Sequence, residues 1–90
     1  MCFFNNYKIM NKEDLKLIAS GDHDAIMKRI GQSALSDEAA EELIERGNHE
    51  EILLYVSIHY VPDSVAEVLL RRDNAEEILA YEKRSFQEFH

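Results

Sequence analysis

Ninety residues carry a net charge of −8, a hydrophobic share of 46%, three glycines, one proline and a single cysteine. This length sets one domain with a modest core, and the hydrophobic share argues against disorder. The acid excess disfavours any surface built to neutralise the phosphates of nucleic acid or anionic lipid, and Cys2 alone cannot form an intramolecular disulfide.

The chain begins Met-Cys-Phe-Phe-Asn-Asn, without the basic region and long apolar run of a signal peptide. Its apolar stretches are too short to span a bilayer, so no membrane association and a cytoplasmic location are expected. From Ile9 onward one pattern returns three times at a fixed interval and without a gap. The units are Ile9–Ala34, Leu35–Tyr60 and Val61–Phe86, flanked by an N-terminal segment (1–8) and a tail (87–90) within one domain of residues 1–90. Leu17-Ile18, Leu43-Ile44 and Leu69-Leu70 align, as do Asp22, Asn48 and Asn74, and then Ile26, Ile52 and Ile78. Units two and three are identical at eleven positions, among them Arg46/Arg72, Asn48/Asn74, Glu51/Glu77 and Tyr55/Tyr81. Unit one diverges more but shares Leu17, Ile18, Gly21, His23 and Ile26 with unit two. Phe3 and Phe4 fall in register with Tyr55 and Val56, as if residues 1–8 were the remnant of an earlier second helix.

Each unit reads as two short helices, with expected spans near 12–20, 23–33, 37–46, 49–59, 63–72 and 75–86. In unit two, Asp37 is a good N-cap, acids crowd the first turns, and Ala39, Ala40, Leu43 and Ile44 recur at helical spacing. Gly47 suits the residue after a helix end. Asn48 then opens the second helix, with Glu51 placed to close a capping box; Asn74 and Glu77 repeat the arrangement. Pro62 stands where a helix start tolerates it. The expected core is Leu17, Ile18, Ile26, Ile30, Leu43, Ile44, Ile52, Leu53, Val56, Leu69, Leu70, Ile78 and Leu79. Helices this short are marginal alone, so each pair must stack on its neighbour. The expected fold is therefore all-α: three 26-residue helical hairpins stacked as a short right-handed α-solenoid. Val56-Ser57-Ile58 gives way to Glu82-Lys83-Arg84 in unit three, the polarity of a capping unit.

The run Leu43-Ile44-Glu45-Arg46-Gly47-Asn48-His49-Glu50-Glu51-Ile52 resembles the recurring unit of uncharacterised bacterial helical-repeat proteins. In general shape it is also similar to HEAT-like and leucine-rich-repeat-variant arrays. The likeness covers roughly residues 9–86. It implies helical stacking and binding to other macromolecules, with no catalytic residue to carry over.

Reactive constellations are not evident in the sequence. His23 and His49 are repeat-equivalent but have no Cys or His at ligand spacing on the same helix face, so no metal or cofactor is expected. The pairs Glu50-Glu51 and Glu76-Glu77 sit early in helices, where dipole and capping account for them. No nucleophile elbow, phosphate loop or zinc-protease motif occurs. Arg71-Arg72 reads as salt-bridging to Glu67, Glu76 or a partner.

These features imply no enzyme but a protein–protein interaction module. The alternative is an acidic mimic of nucleic acid occupying a basic site on a DNA-binding protein. Unit charges of 0, −6 and −2 centre the acid on unit two. Candidate partner-binding residues lie in the columns of the second helices: Glu50, Glu51 and Tyr55, with Glu76, Glu77 and Tyr81. Exposed aromatic residues at Phe86 and Phe89 raise a homo-oligomer through the repeat ends as a further expectation.

Overall fold

A computed structural model describes residues 12–88. Six helices and no strand occur among them: α1 (residues 12–20), α2 (His23–Gln32), α3 (Asp37–Arg46), α4 (His49–Ile58), α5 (Asp63–Arg72) and α6 (Ala75–Glu88). Each expected helix is present, with ends differing by at most two residues. The N-terminal expectation for residues 1–8 and the one for Phe89 lie outside the described residues.

Local chemistry sets the boundaries. Asp22, Asn48 and Asn74 each precede a second helix, and each side chain accepts a backbone N–H three residues on: Ala25 at 3.2 Å, Glu51 at 3.1 Å and Glu77 at 3.1 Å. Caps of this kind contribute about 1 kcal/mol apiece. Before α3 the cap is Ser36, whose hydroxyl accepts from Ala39 N, while Asp37 is already helical. The sequence expectation of a cap at Asp37 is one residue late. A serine hydroxyl does the capping and leaves the aspartate in the first turn, where the helix dipole favours it. Pro62 occupies the N-cap of α5 with no side-chain bond, and Asp63 follows as its first residue. Helix α3 ends at Gly47, φ +82°, and its N–H returns to Ile44 O over 3.0 Å.

The helices pack in a skipping order. Helix α2 lies against α4 and α4 against α6, while α3 lies against α5; within the pairs, α3 touches α4 and α5 touches α6. Ile26, Ile30, Leu43, Ile52, Val56, Val65 and Leu69 are exposed by 1% or less and form the centre of the core. Burial of each such side chain contributes roughly 1.5–3 kcal/mol.

Two expected core residues are not core. Leu70 is 49% exposed and Leu79 is 52% exposed. The contrast with Ile44, at 2% and in the same repeat position as Leu70, gives the reason. Helix α5 packs over α3 and covers Ile44; among the described residues no helix packs over α5 in the same way. Leu17, Leu53 and Ile78 are half-buried at the margin.

Candidate functional site

The turn that joins α3 to α4 carries a short polar run, Arg46-Gly47-Asn48-His49-Glu50-Glu51. Because Asn48 caps α4, Glu51 falls in the first turn on the face that packs inward, and its side chain is fully buried. An uncompensated carboxylate there would cost several kcal/mol. Two basic side chains meet it. Arg46, from the last turn of α3, donates through Nε to Oε1 at 2.9 Å and through Nη2 to Oε2 at 3.2 Å. His23, from the first turn of α2, donates through Nδ1 to Oε2 at 2.8 Å. The outer nitrogen of His23, Nε2, lies 3.5 Å from Glu50, whose side chain is 76% exposed.

The same cluster recurs one unit further along the chain. Glu77 is fully buried; Arg72 donates to it at 2.7 and 3.2 Å, and His49 Nδ1 donates at 2.7 Å. His49 Nε2 lies 3.6 Å from Glu76. The arginine of each cluster also crosses the preceding turn: Arg46 Nη2 donates to Gly21 O at 3.5 Å and Arg72 Nη2 to Gly47 O at 3.3 Å. Gly21 and Gly47 both have positive φ, and a Cβ at Gly47 would stand 3.3 Å from Arg72 Nη1. Glycine adopts that backbone without strain, and at Gly47 the guanidinium leaves little room above it.

Hydrogen bonding to the buried carboxylate is the main reason both imidazoles titrate above the ordinary histidine value; desolvation opposes it, and the nearby carboxylates add to it. Arg46 and Arg72 are raised for the same first cause. Each imidazole thus holds its proton more tightly than a free histidine does.

The opposite end of the α2/α4 interface is held by other groups. His59, at the end of α4, donates Nε2–H to Ile30 O at 2.6 Å. Tyr55 is 1% exposed, accepts Leu35 N–H at 3.0 Å and lies 4.9 Å, ring to ring, from His59. Burial raises the Tyr55 phenol above its usual value, against the lowering effect of the Leu35 bond. Arg29 holds the Tyr55 position in unit one. It pairs through two nitrogens with Asp14, at 2.9 Å each, and donates to Ser33 O at 3.0 Å.

The six candidate surface residues thus separate. Glu51, Glu77 and Tyr55 are interior, engaged with Arg46 and His23, with Arg72 and His49, and with Leu35. Tyr81 is half-buried, and Glu50 and Glu76 are exposed. The carboxylates of Glu51 and Glu77 turn inward to the cations, instead of back toward the caps as a capping box would require. Arg72 pairs with Glu77, not with Glu67 or Glu76 as the sequence suggests. A signal is present when the units are aligned: Arg, Glu and His recur as equivalent polar positions. Nothing in the linear sequence, however, reveals that each histidine reaches forward into the next unit.

A second feature is an exposed groove between α4 and α6. Leu53, Glu76, Leu79, Ala80 and Lys83 line it. Leu79 and Lys83 also border a shallower depression with Phe86, which is 66% exposed. No group of three or more His, Cys, Asp or Glu side chains suited to a metal ion occurs among the described residues. None of the described helices is long and apolar enough to cross a membrane. Comparison with protein-family models, with curated proteins and with solved structures found no match.

Proposed function

We propose that the protein is a non-enzymatic protein-binding module, built as a short right-handed α-solenoid of three helical hairpins and working through the outer face of its second helices. The regular sequence repeat and the skipping contacts α2–α4–α6 and α3–α5 support the stacked arrangement. The observation that carries the functional reading is the pairing of exposed acid with exposed apolar surface along the α4/α6 groove. Glu76 lines the groove with Leu53, Leu79 and Ala80, Lys83 and Arg84 border it, and Phe86 lies beyond; Glu50, the repeat equivalent of Glu76, is exposed in the first turn of α4. Half-exposed leucine beside solvated carboxylate suits an amphipathic segment carrying basic residues, seated apolar face down.

The reading is tested by affinity capture from extract at low and high salt, comparing the native chain with Glu50→Gln/Glu76→Gln and with Leu79→Ser. Both variants are expected to remain helical and to lose retained protein. Loss through the glutamines alone, confined to low salt, would favour an acidic mimic over a groove binder. Identical capture by all three folded proteins would remove this face from consideration.

A further inference from the structure

We propose that the two Arg–Glu–His clusters are proton-dependent locks between successive repeat units, tight while the imidazole is charged and slack once it is neutral. Each cluster is made from two halves. One unit supplies a glycine and a histidine, Gly21 with His23 or Gly47 with His49. The next supplies an arginine and a buried glutamate, Arg46 with Glu51 or Arg72 with Glu77. The lock therefore exists only where two units meet.

The residues at the unmatched positions support the assignment. Unit three has Asp73 and Ala75 where a glycine and a histidine would face a further unit. Unit one has Ser20 and Ala25 where an arginine and a glutamate would face an earlier one. The cluster residues are kept in both halves at the two contacts and replaced in both halves at the equivalent positions that make no such contact among the described residues. Simple helix capping would not produce that distribution, since Asp22, Asn48 and Asn74 cap all three second helices alike.

Proton dependence follows from the charges that face each imidazole. Around His23 stand Glu51 and Glu50 from α4, Arg46 from α3 and Asp24 from its own helix. Around His49 stand Glu77 and Glu76 from α6 and Arg72 from α5. With the imidazole charged, two cations face the glutamate pair in contact with it, Glu50 and Glu51 at His23 or Glu76 and Glu77 at His49. With it neutral, the buried glutamate keeps its arginine but the exposed one loses its cation, and the histidine contact falls from an ion pair to a hydrogen bond between a neutral imidazole and the carboxylate. Both histidines have their folded-state pKa raised above 6.5. Their contribution is therefore complete below that value and is lost as pH rises through the folded pKa.

The test is an imidazole titration by NMR together with urea unfolding from pH 6 to pH 9. His23 and His49 are expected to titrate above 6.5, and Glu76→Gln to lower the midpoint of His49 while leaving that of His23 in place. The urea midpoint of the native chain is expected to fall as pH rises. In His23→Asn/His49→Asn it should stay nearly level, because asparagine keeps the donor to the glutamate without a titrating charge. Midpoints at or below 6.5, or equal pH slopes in the native and double-asparagine chains, would overturn the proposal. The titration on the native chain decides the matter even if the double variant folds poorly.

Discussion

The α2/α4 and α4/α6 interfaces share one end and differ at the other. Both carry a buried glutamate gripped by an arginine and a histidine. At the far end, the first has His59 on Ile30 O and Tyr55 on the Leu35 backbone, whereas the second has Ser85 and the half-buried Tyr81 in the same two positions. The polar cluster is thus common to both interfaces, and the far end is where they differ. Exposure differs with the neighbours present: Ile52 on α4, a helix packed by both α2 and α6, is fully buried, while its equivalent Ile78 on α6 is half-buried.

The largest test of this difference is truncation at those two positions. Ile52→Ala removes a side chain from the centre of the core and should cost about 2–5 kcal/mol. Ile78→Ala should cost distinctly less, since its cavity is partly open to water. Equal losses in denaturant unfolding would mean that the two isoleucines are covered to the same degree.

The tyrosine pair separates the far ends more sharply. Tyr55→Phe leaves the buried Leu35 N–H without its acceptor, at a cost of about 1–3 kcal/mol. Tyr81→Phe should stay within about 0.5 kcal/mol of the native chain. Comparable effects would show that Tyr81 carries a structural bond equal to that of Tyr55.

At the shared end, the turn residues distinguish a matched lock from an unmatched one. Gly47→Ala meets both a positive φ and the Arg72 guanidinium and should lose about 1–2 kcal/mol. Asp73 already holds φ +58° at the equivalent turn, so Asp73→Gly should be neutral or slightly stabilising. If the alanine at 47 were harmless, the arginine crossing would not constrain that turn.

Much of the fold was legible because caps, glycine turns and the helical period all act locally and recur three times. Asn48, Gly47 and the Leu43-Ile44 pair each announce their place without knowledge of the rest. Errors arose where covering depended on a neighbour. Leu70 and Leu79 match Ile44 and Leu53 in sequence, but burial belongs to the pair of surfaces rather than to the residue. The site was harder for a related reason. Glu51 has the spacing of a capping-box residue, and only the packing of α2 on α4 shows that its carboxylate answers to His23 instead.

A small stability effect carries the most functional weight. Leu79 is half-exposed, so Leu79→Ser gives up only part of an aliphatic burial and should cost below about 1 kcal/mol. Its neighbours on the groove, Glu76 and Lys83, remain to keep the helix soluble and in register. A binding surface behaves in the opposite way, because an apolar anchor contributes most when a partner dries it. The variant should therefore unfold within about 1 kcal/mol of the native chain and still lose most captured protein at high salt, where acidic attraction is screened and apolar contact is not. The matching substitution on the buried side, Ile52→Ala, should show the reverse: a large stability loss, with capture per folded molecule retained. If Leu79→Ser leaves high-salt capture intact while Glu50→Gln/Glu76→Gln abolishes it at low salt, the groove contributes nothing and charge alone recruits the partner.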